Sequence, residues 1–338
     1  MTRAARLMAV TAAVVAVLSA GCGGDEKGEA RDARNVRLAA VIKALDNPFF
    51  VTMRDGLVAT ARRQGARLRV AAAPSGAQDA TGQGTDLERL AGSRPSCYVV
   101  NPLSRTNLIS ALGHLPEKAP IINIDSPVDA DAAKAVGAEI SSYIGTDNEA
   151  AGGRAADAMA RLVDRGARVA LVKGIPGDAT SEARARGFSK GIHARFDVVD
   201  TVAADFERGK AKVAAQEILR ADPHIDGFFA VNDLMALGVA DALGDRGRGG
   251  EVPVVGFDGI REALLAVKHD ALSATVSQYP YAMGQLAIEA CLQAVRGGSL
   301  PSQVDAPAQV VTPDNVDRAL ANFPKPVERF DDPFAQPD

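Results

Sequence analysis

From Arg37 onward, short apolar strand-like runs alternate with Ala-rich stretches of helical period. That alternation restricts the chain to α/β architectures in which helices cover parallel sheets. The runs are Arg37 to Ala44, Arg67 to Ala72, Cys97 to Val100, Ile121 to Ile124 and Tyr143 to Gly145. They continue with Val169 to Lys173, Val198 to Val202, Gly227 to Val231, Val252 to Gly256, Leu272 to Val276 and Gln309 to Thr312. Pro48 to Gln64 reads as a helix with Pro in its first turn and Gly65 past its end. Asn148 to Asp164 and Lys210 to Arg220 read as helices as well. About ten strands predict two sheets rather than one, because ordinary sheets hold four to six.

Five of these runs end on Asn or Asp: Asp46-Asn47, Asn101, Asp125, Asn232 and Asp258. Each falls where a parallel strand gives way to a loop or helix, the edge at which open α/β sheets bind small ligands. Asn and Asp are also good helix N-caps, and Asn47 before Pro48 suits that role by itself. The set as a whole, divided between two halves of the chain, predicts a polar cleft between two sheets.

The first residues predict export. Arg3 and Arg6 precede an apolar stretch from Leu7 to Leu18 that ends in Ser19-Ala20-Gly21-Cys22, the layout of a secretory signal. The stretch is too short to span a bilayer. Cys22 after small residues resembles a bacterial lipoprotein box, with Ser19 where such boxes carry Leu. Residues 1–21 are therefore expected to be a signal peptide, Cys22 the lipidated first residue, and residues 22–35 a polar tether. The remaining cysteines, Cys97 and Cys291, fall in a strand-like and a helix-like run and read as buried free thiols, with a bridge as the alternative. Residues 323–338, with several prolines and charges, read as a loose tail.

Signs of catalysis are sparse. A formal charge of −4 with scattered Lys and Arg provides no basic face for nucleic acid. Gly187-Phe188-Ser189-Lys190-Gly191 fits G-x-S-x-G, but it lies inside a helix-like stretch, Ser181 to Phe196, and not on the strand-to-helix turn that a nucleophile needs. His114, His193, His224 and His269 have no metal-ligand spacing. No glycine-rich phosphate loop follows a strand. No catalytic residue, metal or cofactor is expected, and binding without chemistry is the reading.

Asp46-Asn47-Pro48-Phe49-Phe50, Asn101-Pro102, Asp205-Phe206-Glu207-Arg208, Asn232-Asp233-Leu234-Met235-Ala236-Leu237-Gly238 and Val255-Gly256-Phe257-Asp258-Gly259 occur in this order. Together they resemble the periplasmic sugar-binding proteins of the ribose and allose type, which are the solute-capturing subunits of ABC importers. The resemblance runs from about Arg37 to Asn322. It implies the type I periplasmic binding protein fold, an α/β fold of two Rossmann-like lobes with parallel sheets joined by a three-segment hinge. The crossings would lie near Gly145, Gln278 and Ala306. That gives residues 36–145 with 279–306 as the N-terminal lobe and 146–277 with 307–322 as the C-terminal lobe.

The sugar-contacting positions implied by the resemblance are Lys43, Asn47, Phe49, Phe50, Asn101 and Asp125 in the first lobe. In the second they are Arg184, Phe206, Asn232 and Asp258, with Gln278 at a hinge. A sugar has apolar faces and a rim of hydroxyls, so rings from opposite lobes can cover the faces while amides and charges grip the rim. Phe49 and Phe50 point about 100° apart on a helix, so both cannot be buried in the same way. Lys43 stands where ribose-type proteins carry a small hydroxyl residue, and it resembles the allose-type branch, as do Pro102-Leu103-Ser104 and Asn107-Leu108. Ser126 stands where ribose-type proteins carry Arg. The resemblance therefore implies a neutral monosaccharide, an allose-like hexose before a pentose. It further implies capture by hinge closure, delivery to a membrane permease driven by an ATPase, and a monomer anchored to the cell envelope by lipid. A sugar-presenting protein for a chemotaxis or sensor-kinase receptor would share the same sequence. Repressors with this body carry an N-terminal DNA-binding helix-turn-helix, and an export signal occupies that place here.

Overall fold

The structure, a computed structural model, describes residues 36–73, 76, 79–192 and 195–334. The expected signal peptide, Cys22 and the tether lie outside the described residues, as does His193. No helix among the described residues is long and apolar enough to cross a membrane.

The first half of the chain forms β1 (Arg37–Ile42), β2 (Arg67–Ala72), β3 (Cys97–Val100), β4 (Ile121–Ile124) and β5 (Ile140–Gly145). These strands are parallel, and β11 (Gln303–Asp305) adds to the edge in the order β11-β5-β4-β3-β1-β2. The second half repeats the plan with β6 (Ala167–Lys173), β7 (Phe196–Ala203), β8 (Gly227–Ala230), β9 (Val254–Asp258) and β10 (Ala274–Gln278). There β12 (Ala308–Val311) closes the edge antiparallel to β10, in the order β12-β10-β9-β8-β6-β7. Every residue of β3, β4, β8, β9 and β10 is buried, as expected of strands covered by helices on both faces. The three-residue β11 has no apolar run to announce it, and the sequence reading misses it.

Around the first sheet pack α1 (Pro48–Arg63), α2 (Ala80–Ala91), α3 (Ile109–Leu112), α4 (Ala130–Ala135) and α10 (Pro280–Val295). The second carries α5 (Asn148–Leu162), α6 (Ala179–Gly191), α7 (Arg208–Ala221), α8 (Asp233–Gly244), α9 (Arg261–Lys268) and α11 (Val316–Asn322). Helices α5 and α6 approach so closely that a Cβ on Gly152 would collide with the Arg184 backbone, and one on Gly187 with the Glu149 carbonyl. The glycine of the G-x-S-x-G match therefore serves helix packing, and this packing seats Arg184.

The chain changes sheets three times, between Gly145 and Asn148, Gln278 and Pro280, and Asp305 and Ala308. The second change returns α10 to the first lobe, where it lies against β3. Cys291 on α10 and Cys97 on β3 consequently meet, with Cα atoms 5.7 Å apart, and form a disulfide across 194 residues. This corrects the expectation of free thiols; the two positions become neighbours only because the chain crosses back.

The end of the chain also departs from expectation. Phe334 is buried, and Phe323, Val327 and Phe330 pack against the core, so residues 323–334 are no loose tail. They leave α11 on the second lobe, pass Tyr279 at the second crossing, and bring Asp332 beside Glu289 on α10 of the first lobe. Aromatic residues spaced through a charged, proline-rich stretch supply the apolar area that holds it down.

Candidate functional site

The carboxyl ends of both sheets face one cavity of about 640 Å³ lined from both lobes. Four non-glycine residues that line it hold positive backbone φ angles, Asp125 at +61°, Asp205 at +52°, Phe206 at +64° and Asp258 at +121°. Non-glycine residues rarely adopt such angles, and strain of this kind gathers at ligand sites.

The second lobe's wall is bonded to itself. Arg184, only 4 % exposed, donates through Nε to Asn148 Oδ1 (2.7 Å) and through Nη1 to the Val231 carbonyl (2.8 Å) and Asp258 Oδ1 (3.2 Å). Its guanidinium lies over the Phe257 ring, 4.0 Å from the centroid. Gln278 Nε2 donates to the same Asp258 oxygen at 2.7 Å. Burial pushes the Asp258 carboxyl up to about 6, although Arg184 and the Gln278 bond draw it down. Behind it, Asp233 is fully buried and accepts from Thr275 Oγ1 (2.7 Å) and Ile260 N (2.8 Å), which ties α8 to β10 and to the turn after β9. Burial and then the Asp258 charge hold Asp233 well above the carboxylate range.

Asn232 and Asn47 each cap a helix and also line the cavity. Asn232 Oδ1 caps α8 by accepting from Met235 N (2.9 Å), and Nδ2 faces the Phe206 carbonyl at 3.5 Å. Asn47 Oδ1 caps α1 by accepting from Phe49 N at 2.9 Å. An asparagine can satisfy a helix end with its oxygen and still offer two N–H donors.

The first lobe's wall carries fewer bonds. Lys43 is 8 % exposed, and among the described residues its ammonium has no hydrogen bond or ion pair; it stands 5.6 Å from the centroid of the Phe50 ring. Asp125 accepts from Ser126 Oγ at 3.4 Å, while its backbone carbonyl takes the Tyr143 hydroxyl at 2.8 Å. Burial raises the Asp125 carboxyl, with Lys43 and Arg184 acting against the rise. Phe49 and Phe50 divide as their helical spacing requires. Phe49 is buried in the core and meets Phe50 edge-on at 5.2 Å, whereas Phe50 is half-buried; both reach the cavity lining. On the opposite wall the half-buried Phe206 ring lies against Gly174, where any Cβ would collide with it.

Asn101 and Gln278 are not on the cavity wall. Asn101 is fully buried behind Asp125 and favours its charged form, while its own Oδ1 has no hydrogen-bond partner. Gln278 reaches the site through Asp258. The sequence reading does not pick out Asn123, whose side chain braces the loop that carries Asp125 by donating to the Val100 and Ser126 carbonyls (3.1 and 2.8 Å) and accepting from Val128 N (2.8 Å). Asp178, the N-cap of α6, also lines the cavity and is likewise missed. Its only sequence signal is an acid before a helix, which is common to most N-caps. Among the described residues no group of three or more His, Cys, Asp or Glu side chains could hold a metal ion.

Two buried carboxylates, Asp125 and Asp258, an arginine already paired and a lysine still unpaired, divided between the two walls, make a set suited to binding hydroxyls. Comparison with known proteins accords with this chemistry. Residues 38–299 match the family model of the periplasmic binding protein domain, and the chain belongs to that family. It is 31% identical to the ribose import binding protein RbsB of Bacillus subtilis over 80% of this chain and 85% of that one. It is 32% identical to the D-allose-binding periplasmic protein of Escherichia coli, over 78% of this chain and 85% of the relative. Both are binding proteins and not enzymes. An ABC transporter periplasmic solute binding protein from Actinobacillus succinogenes, solved with bound D-allose, superposes with a TM-score of 0.78 at 29% identity, over 84% of this chain and 99% of that one.

Proposed function

We propose that this chain is the extracytoplasmic solute-binding subunit of a carbohydrate ABC importer. It captures a neutral monosaccharide of the allose or ribose kind and presents it to a permease. The observation that carries this reading is the cavity lined from two lobes, with Phe50 and Phe206 on opposite walls and a rim of Asn47, Asp125, Arg184, Asn232 and Asp258. The rings cover the apolar faces of the sugar, and the rim bonds its hydroxyls with charge-assisted strength. Phe49 supports Phe50, while Asn101 and Gln278 act through Asp125 and Asp258. The three chain crossings serve as the hinge, and ligand favours the closed form because only that form brings both walls to it. Micromolar affinity, about −8 kcal/mol, asks for about −0.7 kcal/mol per heavy atom of a hexose, well inside the ceiling for small ligands of about −1.5.

Calorimetric titration with allose, ribose, psicose, galactose, glucose, xylose and myo-inositol tests the reading. Saturable one-to-one binding of at least one of them, lost in Asn232→Ala and Asp258→Ala, is the expected result, and silence across the panel rejects it. Export and lipidation at Cys22, with the protein a monomer beside its permease, complete the proposal. Cys22→Ala is expected to move the protein from the membrane fraction to the soluble one.

A further inference from the structure

Two charged groups of the cavity hold bonding capacity that nothing among the described residues takes up. Lys43, from the first lobe, is buried and lines the cavity, yet its ammonium lies within 4.0 Å of no described carboxylate. Asp178, from the second lobe, is fixed at the start of α6, where Oδ1 accepts from Ser181 N (2.8 Å) and Thr180 Oγ1 (2.6 Å) while Oδ2 accepts from no described residue. Burial works to raise the Asp178 carboxyl, but Lys43 first, then Thr180, Ser181 and Arg184, outweigh it and hold it below the carboxylate range. The lysine and the aspartate thus act on each other across the cavity without touching.

A charge taken out of water is costly unless it is paired or bonded, and of this pair Lys43 is buried while Asp178 is partly exposed on the cavity wall. An ammonium can only donate and a carboxylate can only accept. A group that satisfies both at one atom must itself accept and donate, which is the property of a hydroxyl. A carboxylate or phosphate in the gap would be repelled by Asp178, and an ammonium by Lys43.

We propose that Lys43 and Asp178 clamp a single ligand hydroxyl from opposite lobes, which makes Asp178 a specificity-determining residue of the pocket. This inference rests on the sugar-binding reading above. Lys43 donates to the hydroxyl oxygen and the hydroxyl donates to Asp178 Oδ2, so the bond that reads the hydroxyl also holds the lobes together. The clamp selects neutral sugars over amino sugars, uronic acids and sugar phosphates. It also rejects the one deoxy sugar that lacks the clamped hydroxyl, because the buried Lys43 ammonium would then stand unpaired and Asp178 Oδ2 would lose its donor.

The test uses the best-bound sugar and its monodeoxy series, titrated into the wild-type protein, Asp178→Asn, Asp178→Ala and Lys43→Met. In the wild type, one deoxy analogue is expected to bind about 100-fold more weakly than the parent, as loss of a charge-assisted bond on both sides predicts. In Asp178→Ala that penalty should shrink to about fivefold, while the penalties at the other positions stay as they were. Asp178→Asn keeps the helix cap and the fold, and should lose about tenfold in affinity for the parent sugar with an unchanged melting temperature. It carries the test should the alanine variant not fold. Wild-type-like discrimination in the Asp178 variants overturns the clamp and leaves the functional reading standing. A wild-type protein that binds no sugar overturns both.

Discussion

The two walls of the cavity are built on opposite plans. The second lobe's Arg184, Asp258 and Gln278 bond one another before any ligand arrives, while among the described residues the first lobe's Lys43 stands unbonded, and its Asp125 has a long bond from Ser126 and the support of Asn101. One wall is organised by its own fold, and the other keeps its bonding capacity for the ligand. A site of this kind can orient a sugar on the rigid wall and draw the closure energy from the uncommitted one.

The comparison breaks most directly at Arg184. Removing one partner of a buried pair leaves the other charge uncompensated, so Arg184→Ala should cost about 3–5 kcal/mol of stability and abolish sugar binding. Chemical denaturation measures the first and calorimetry the second. A variant as stable as the wild type would mean that the network is not structural.

The first lobe draws part of its stability from the Cys97–Cys291 bridge, which has no counterpart among the described residues of the second lobe. Replacing both cysteines by Ser should cost about 2–4 kcal/mol, with hydrogen exchange rising in β3 and α10 and not in β8 or β9. Equal loosening of both lobes would erase the distinction.

Lys43→Met tests the uncommitted wall. Affinity should fall by about 10- to 100-fold, the worth of a charge-assisted bond. Folding stability should change by less than about 1 kcal/mol, because no described group loses a partner. A stability loss matching that of Arg184→Ala would show the two walls to be alike.

A smaller effect is expected from pH. Asp258, held at about 6, and Glu289, pushed up to about 7 by burial and by Asp332 beside it, bind protons more tightly folded than unfolded. Their contribution to stability therefore falls as pH rises from the ordinary carboxylate range through these values, and is flat above. Sugar binding runs the other way, because the rim needs Asp258 ionised, so affinity should weaken below about pH 6 while the melting temperature rises. Glu289→Gln should flatten the stability profile between about pH 4.5 and 7 without altering affinity, and an unchanged profile would separate Glu289 from it.

Much of this could be read from the residues, and the failures are instructive. The strand-end positions Asp125, Asn232 and Asp258 are legible because a polar residue closing a buried parallel strand has few places to go but the sheet's carboxyl edge. Asp178 is not, since its role depends on Lys43 reaching it from the other lobe. Asn101 differs from its fellows: it closes a strand as they do, but it is fully buried off the cavity lining, where it supports Asp125. The ends of β9 and β10 run to Asp258 and Gln278, beyond where the apolar pattern stops, because polar residues there have partners in the site that local sequence does not reveal. Phe323, Val327, Phe330 and Phe334 were hidden by the prolines and charges around them.

Periodicity and short-range preference, which act over a few neighbouring residues, by themselves determined the two α/β lobes, the helix starts and most of the strand-end residues. The Cys97–Cys291 bridge, the packed chain end, the split between Phe49 and Phe50 and the facing of Lys43 and Asp178 were decided only by the tertiary structure. Each depends on which distant segments the three crossings bring together, and no local preference carries that information.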